Sequence, residues 1–458
     1  MSIRTRLSEL HGAWHQLREP VAPERFSALD RVWASLPESV RGSKQSLGRQ
    51  APGCGATYNV LERCNFSCTA CYLASTANNT PPLPFDEVKA QLDALRDYLG
   101  PGGNVQITAG EVTLLPVADL TRIVRYALDI GLTPMVMTHG ETFRDDPAYL
   151  ETLIARGGLD RVSIHIDTTQ RGRRGLERHH REYDLHPLRD EFADLIRRTR
   201  RRTGQLLHAA HTFTVTPDNL PDVPSVVEWA LDNADAFRML SFQPTADVGR
   251  TRVQAVAGDD DNRRALWSAI NAGAGQSLNP HPFYFGHPRC NEFCFCFVVK
   301  FDGELRIMEV AREGQAMDER FIEMLFDDYR GYSADGLSDL EAAARILGMA
   351  RRRPASLAHA MLYSAYRVAQ EYRWMPRFLR TVATGRPWSL KPFVIVVHNF
   401  MSKDELDTEE GRERLEACTF RLPVDGQMVS MCEMNGTDLR RSLNVDARER
   451  LVQLRSAS

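Results

Sequence analysis

The feature that most constrains this chain is a repeating order of strand-like and helix-like segments between residues 55 and 245. Six short apolar or alternating runs, at 57–61, 105–108, 135–138, 161–166, 207–215 and 237–242, read as strands. Between them lie segments with helical spacing. The clearest are Val88, Leu92, Leu95 and Leu99 before Gly100-Pro101, and Leu120, Ile123, Val124, Ala127 and Leu128 before Gly131. Further helices are predicted near 147–156, 191–203 and 223–233. Strands that alternate with helices pair in parallel, because the crossover returns each strand in the same direction. The order therefore predicts an α/β fold, a partial (β/α)6 barrel over residues 51–250 with its helices outside. Residues 1–50 read as an N-terminal helical appendage, with Leu7, Leu10, Trp14 and Leu17 on one face. Residues 251–458 form a C-terminal region in which an Arg-rich helical stretch (338–384) and a buried strand (393–397) precede a loop-rich tail.

Strand alternation identifies the functional face. Val162, Ile164 and Ile166 alternate with Ser163, His165 and Asp167, and His211, Phe213 and Val215 alternate with Thr212, Thr214 and Thr216. A barrel that is only packed fills its interior with branched apolar side chains. Here each strand keeps a polar face, continued by Ser241 and Gln243, which predicts a lumen that holds a polar ligand.

A formal net charge of -3 over 458 residues gives no reason to expect nucleic acid as a partner. No apolar run approaches the length of a membrane span, and Met1 to Glu19 has no apolar signal-peptide core, so the expected location is cytoplasmic. Nine cysteines in a reducing compartment point to metal and away from disulfides.

Three of them, Cys64, Cys68 and Cys71, form a C-x3-C-x2-C run after the first strand. Structural zinc needs four closed ligands. Three thiolates can hold a cubane and leave one iron open. The run resembles that of the radical S-adenosylmethionine (radical SAM) superfamily, whose partial barrel carries such a loop after its first strand. Thr108-Ala109-Gly110-Glu111 is similar to the family's Gly-Gly-Glu motif, with Ala109 in place of the first glycine, and Ser163, His165 and Asp167 stand on its cofactor-binding fourth strand. The family's aromatic residue before the third cysteine is Ala70 here, and Tyr72 follows instead. The resemblance implies a radical SAM enzyme with a 4Fe-4S cluster on Cys64, Cys68 and Cys71. It also implies S-adenosylmethionine held by Tyr72, Gly110, Glu111, Ser163, His165 and Asp167, and an electron donor that is a reductase, ferredoxin or flavodoxin. The product of cofactor cleavage is a 5'-deoxyadenosyl radical that abstracts hydrogen from an unactivated carbon. A nonenzymatic metal or electron-transfer protein is the competing class.

Cys290, Cys294, Cys296, Cys418 and Cys432 offer a second set of thiols, enough for another iron-sulfur cluster or a mononuclear iron. Turn chemistry at Pro423 and Asp425-Gly426 can return Cys418 and Cys432 to each other as the ends of a hairpin-like loop. The islands 398–401, 423–426 and 431–435, with Asp167 to Arg171, resemble a branch of the superfamily that includes the archaeal tetraether lipid synthases. That branch implies an auxiliary metal site and lipid C–C coupling; dehydrogenation, epimerisation or modification of a soluble metabolite or peptide is the alternative. An arginine-rich loop (Arg171, Arg173, Arg174, Arg178, His179, His180, Arg181) is placed to meet substrate phosphate or to stand solvated. A basic-aromatic stretch, Arg351 to Arg380, is compatible with peripheral contact to anionic lipid or with ordinary helix packing.

Overall fold

A computed structural model describes residues 3–18, 21–175, 181–333 and 339–456. Helices α1 (Ile3–Arg18) and α2 (Pro23–Ser35) form the N-terminal appendage. Strand β1 (Cys54–Ala56) opens the barrel and is followed by α3 (Phe85–Leu99), β2 (Gly103–Ile107), α4 (Val117–Asp129), β3 (Leu132–Thr138), α5 (Glu141–Asp145), α6 (Pro147–Ala155), β4 (Arg161–His165), α7 (His186–Thr203), β5 (His208–Val215), α8 (Val223–Asp232) and β6 (Phe237–Pro244). Strands β1 to β6 pair in sequence order, all parallel. The helices cover their outer face. Val88, Leu92, Leu95 and Leu99 of α3 and Leu120, Ile123, Val124 and Ala127 of α4 are buried, as their spacing requires.

Beyond the barrel come α9 (Asp260–Ala274), β7 (Asn291–Phe301), β8 (Glu304–Glu309), α10 (Ala316–Asp328), α11 (Asp339–Arg352), α12 (Pro354–Gln370), α13 (Met375–Ala383), β9 (Trp388–His398), α14 (Glu409–Glu416), β10 (Phe420–Val424), β11 (Gln427–Ser430), α15 (Met431–Gly436) and α16 (Leu439–Ser456). The expected boundary at residue 250 does not divide the sheet. β9 pairs in parallel with β6 and β10 in parallel with β1, so both open edges of the six-strand barrel are covered from the C-terminal region. β7 and β8 continue antiparallel beyond β9, and β11 beyond β10.

Two expectations need correction. The first strand lies at 54–56, ahead of the predicted 57–61, because Asn59 takes φ +51 and breaks the extended path. The tail is not loop-rich but folds into α14, β10, β11, α15 and α16. Asp425 (φ +46) and Gly426 (φ +77) make the two-residue turn that joins β10 to β11, the geometry an Asp-Gly pair favours. Appendage helix α1 lies against α11, where Arg345 Nε donates to Gln16 Oε1 at 2.8 Å.

Candidate active site

After β1 the chain crosses the C-terminal ends of the strands in a loop bearing Cys64, Cys68 and Cys71, and its neighbours pin it. Ser67 N donates to Arg171 O and Thr69 N to Thr169 O, both at 2.9 Å, on the loop after β4. From the loop after β6, Arg250 N donates to Cys71 O (2.9 Å) and Arg252 N to Thr69 O (2.7 Å), while Thr251 Oγ1 accepts from Cys71 N (3.2 Å). After β2, Glu111 N donates to Arg63 O at 2.8 Å. Gly110 there has φ +55, and an added Cβ would stand 2.3 Å from Leu61 O and 2.6 Å from Arg63 O. Only glycine allows that approach. The His139 ring stacks on Phe66 at 3.8 Å, and its Nε2 lies 2.8 Å from Asn65 Oδ1.

This scaffold turns the three cysteines into one wall of a cavity of about 1340 Å³, its open mouth included. Thr138, Ser163, His165, Thr212 and Thr214, from the ends of β3, β4 and β5, line the polar part, so the predicted polar lumen is present. The C-terminal region adds an apolar wall to the lining: Phe400 and Met401 follow β9, while Phe420 and Met431 belong to the β10–β11 hairpin and α15.

Burial dominates the setting of two of the thiols. Burial pushes the Cys64 thiol up to about 12 against a hydrogen bond from the Phe66 N–H, with Glu111 and Cys71 adding to the rise. Cys68 is raised further by burial and then by Cys71 and Cys64. Such thiols stay protonated unless positive charge, as from iron, is brought among them. Arg250 supplies a share, its Nε donating to Cys71 Sγ at 3.2 Å. Among the described residues no three His, Cys, Asp or Glu side chains are gathered tightly enough for one metal ion. A cubane is gripped on separate irons, so its thiolates stand farther apart than the ligands of a single ion.

The sequence-predicted cofactor residues divide into two groups. Tyr72, Gly110, Glu111, Ser163 and His165 line the cavity. Tyr72 is held by Thr108 Oγ1, 3.2 Å from its hydroxyl, and by the Arg440 guanidinium 5.2 Å from its ring centre, itself anchored 2.6 Å from buried Glu62. The Ser163 hydroxyl lies 2.7 Å from Thr212 Oγ1. The Glu111 carboxylate is largely occupied. Oε1 accepts from Thr113 N (3.1 Å), Thr113 Oγ1 (2.5 Å) and Thr138 Oγ1 (2.7 Å), and Oε2 accepts from His139 N (2.8 Å). It caps the short helical turn 112–114 and sets Thr138 and His139 at the lumen. Asp167, expected on the lumen face, does not line the cavity. It is buried behind His165, where its oxygens accept from Thr169 N (2.9 Å), Thr169 Oγ1 (2.5 Å), Thr214 N (2.7 Å) and His165 Nε2. Burial alone would raise its pKa, but His165 and these hydrogen bonds hold it well below the usual carboxylate range.

The arginine loop is a second correction. Arg173 is 2% exposed and committed to Glu141 (2.7 Å), His139 O (2.8 Å) and Gln170 Oε1 (2.9 Å), so it supports the loop and is closed to a substrate phosphate. Arg174 pairs with Asp145 and Arg181 with Asp222. Arg171 folds onto its own loop carbonyls. Arg178, His179 and His180 lie outside the described residues.

The five remaining candidate cysteines separate into two places. Cys290, Cys418 and Cys432 converge beside the apolar wall. Burial raises Cys290 and Cys432, Cys418 adds to both, and the buried Arg414 guanidinium hydrogen-bonds Cys290. Cys432 itself lines the cavity and accepts from Met401 N at 3.4 Å. Cys294 and Cys296 sit lower on β7, buried in the main core, with their thiols directed at Glu309 Oε1 (3.9 Å) and Phe393 O (3.6 Å). A β-strand points residues two apart to the same side, and here that side is the packed core.

A profile of the radical SAM superfamily matches residues 58–229. The chain carries a radical SAM domain. The match includes the cysteine loop and ends in α8, before β6 and the whole C-terminal region. Over 196 residues the chain is 22% identical to 7,8-dihydro-6-hydroxymethylpterin dimethyltransferase of Methanocaldococcus jannaschii, covering 43% of this chain and 37% of that protein. Over 127 residues it is 28% identical to the antilisterial bacteriocin subtilosin biosynthesis protein AlbA of Bacillus subtilis, covering 26% and 27%. The chain thus spans well under half the length of these curated relatives. Similar solved structures include Streptococcus suis SuiB bound to precursor peptide SuiA (TM-score 0.36, 13% identity, 54% of this chain and 48% of that one) and anSMEcpe with bound AdoMet (TM-score 0.36, 11% identity, 49% and 62%).

Sequence reasoning missed His139, Asn65 and Thr251, which shape the radical SAM loop, and the apolar wall from Phe400, Met401, Phe420 and Met431. Thr138-His139 at a strand end carried a positional signal. The apolar wall had none, because it joins segments far apart in the chain.

Proposed function

We propose that the protein is a radical SAM enzyme that abstracts hydrogen from an unactivated carbon in an apolar part of its substrate. The observation that carries this reading is one cavity lined by three cysteines, polar strand ends and an apolar wall. Cys64, Cys68 and Cys71 would hold the 4Fe-4S cluster, and Tyr72, Gly110, Ser163 and His165 would meet S-adenosylmethionine, with Glu111 and Asp167 as positioning residues. When bound and reduced by a reductase, ferredoxin or flavodoxin, the pair supplies a 5'-deoxyadenosyl radical able to take hydrogen from carbon. Asp167 orients His165, Glu111 orients Thr138 and His139, and Phe400, Met401, Phe420 and Met431 keep water from the reacting carbon.

Lipid C–C coupling is the first substrate reading. The apolar wall suits an acyl chain, and the sequence islands around Phe400, Met401, Cys418 and Cys432 resemble the tetraether lipid synthase branch. Modification of a peptide or soluble metabolite is the second, favoured by the likeness to a bacteriocin biosynthesis protein and a pterin dimethyltransferase. In either case Cys290, Cys418 and Cys432 are the thiols for an auxiliary iron-sulfur cluster or mononuclear iron, and Cys294 and Cys296 are core residues.

Anaerobic reconstitution tests the assignment. The wild type should bind more than the roughly four irons of one cubane and form 5'-deoxyadenosine when reduced with S-adenosylmethionine. Replacing Cys64, Cys68 and Cys71 together with Ala should abolish cleavage and leave the second iron. Replacing Cys290, Cys418 and Cys432 should remove that second iron, and replacing Cys294 and Cys296 should remove none. Cleavage that survives the first triple change would overturn the reading.

A further inference from the structure

The segment from Tyr372 to Lys391 contains five basic residues, Arg373, Arg377, Arg380, Arg386 and Lys391, and no acidic one, in a chain of net charge -3. Helix α13 turns Met375 and Phe378 inward against Phe301 and Trp374. Phe378 also meets the Trp388 ring edge-on at 5.6 Å, which brings the start of β9 beside the helix. What remains outside is apolar: Tyr372 is 66% exposed, Leu379 56% and Trp388 49%, with Val382 and Leu390 also exposed. Arg377 and Arg386 pair with Glu304 and Asp302 of the β7–β8 hairpin. Arg373 and Arg380 make no ion pair with a carboxylate among the described residues, and Lys391 stands on the other face of β9 from Trp388 and Leu390.

We propose that this face of α13 and the start of β9 docks peripherally on an anionic lipid bilayer. Single exposed apolar residues are ordinary on a protein surface, but an apolar group beside four arginines, two of them without a carboxylate partner among the described residues, matches the interfacial region of an anionic leaflet. A second copy of the chain is disfavoured as occupant, since two such faces repel. No helix of the described residues is long and apolar enough to cross a membrane, so the contact is peripheral. Its position also matters. Trp388 and His398 mark the two ends of β9, roughly 33 Å apart at about 3.3 Å per residue, and the cavity wall follows His398. The docking face therefore lies at the far end of the strands from the cavity mouth. It tethers the protein without feeding the site, and the proposal stands independently of the reaction.

The test is cosedimentation of the full chain with vesicles of phosphatidylcholine alone and of phosphatidylcholine with phosphatidylglycerol, at low and high salt. Binding only to the anionic vesicles, weakened by salt, is expected. Combining Arg373→Gln and Arg380→Gln should weaken it about twenty-five-fold, at roughly fivefold per charge, with the thermal unfolding midpoint unchanged. Leu379→Ser with Tyr372→Ser should weaken it separately. Absence of binding at low salt, equal binding to neutral vesicles, or undiminished binding by the charge variant overturns the proposal. So does salt-sensitive binding to duplex DNA that the same vesicles fail to compete, or self-association abolished by the same substitutions.

Discussion

Replacing Asp167 by Asn preserves shape and removes charge at the residue that sets His165 in the lumen. The carboxylate accepts from Thr169 N, Thr169 Oγ1, Thr214 N and His165 Nε2. An amide keeps an oxygen for Thr169 but turns an NH2 toward Thr214 N–H, which then has no acceptor. A buried donor left unpaired costs about 1–3 kcal/mol, and loss of charge-assisted bonds adds about 1 kcal/mol more. A loss of about 2–4 kcal/mol in urea unfolding of the apoprotein is expected, a large part of a typical stability of about 5–15 kcal/mol. The sign with pH follows from the depressed carboxylate. Its stabilisation is complete above the unfolded value of 3.8 and is lost as pH falls through the lower folded value, so the gap between wild type and Asp167→Asn should narrow below about pH 4. With His165 released, S-adenosylmethionine affinity measured by calorimetry should fall about tenfold, or about 1.4 kcal/mol, with the cluster absorbance unchanged. A stability loss under about 0.5 kcal/mol together with unchanged affinity would refute the positioning role.

Gly110→Ala should be destabilised by more than the roughly 1–2 kcal/mol that a left-handed conformation costs a residue with a Cβ, because that Cβ also meets Leu61 O at 2.3 Å. Urea unfolding with no loss would show that the two loops can part at little expense. His281 is buried, and its Nε2 accepts from Phe295 N at 2.7 Å, with burial lowering its pKa to about 4. The unfolded chain takes up the proton first, so stability should fall between pH 6.5 and 4 by on the order of 3 kcal/mol. His281→Gln, which can accept the same N–H without titrating, should show a flatter acid limb in urea midpoints; an equal slope would remove His281 from the account.

The β/α order was legible because each barrel helix carries its periodicity locally: Val88 to Leu99 and Leu120 to Ala127 are buried where spacing puts them. The cysteine triplet was legible for the same reason, as three ligands on one loop. Asp167 was misplaced because alternation holds only while the strand stays extended. β4 ends at His165, and the next two residues turn inward to meet β5. Arg173 was misjudged because nothing local in a run of arginines shows that Glu141, the His139 carbonyl and Gln170 will converge on one of them. Cys294 and Cys296 were grouped with Cys290 by proximity in sequence. Four residues of extended strand separate ligands by about 13 Å, enough to carry these two away from Cys418 and Cys432.

The barrel alone cannot complete its cavity. Six parallel strands leave two edges of unpaired N–H and C=O groups, and β9 and β10 satisfy them. Having paired, the segments that leave these strands meet over the lumen, where Met401 N donates to Cys432 Sγ and Phe400, Met401 and Cys432 pack together. The segments that protect the edges thus also close the cavity, and they bring Cys418 and Cys432 beside Cys290. The radical SAM match ends in α8, so the cysteine loop and polar strand ends come mostly from matched sequence and the apolar wall from unmatched sequence. On the proposed function, chemistry common to the superfamily would belong to the first part and choice of substrate to the second, so substitutions from β9 to α15 should change what is bound before they change whether S-adenosylmethionine is cleaved.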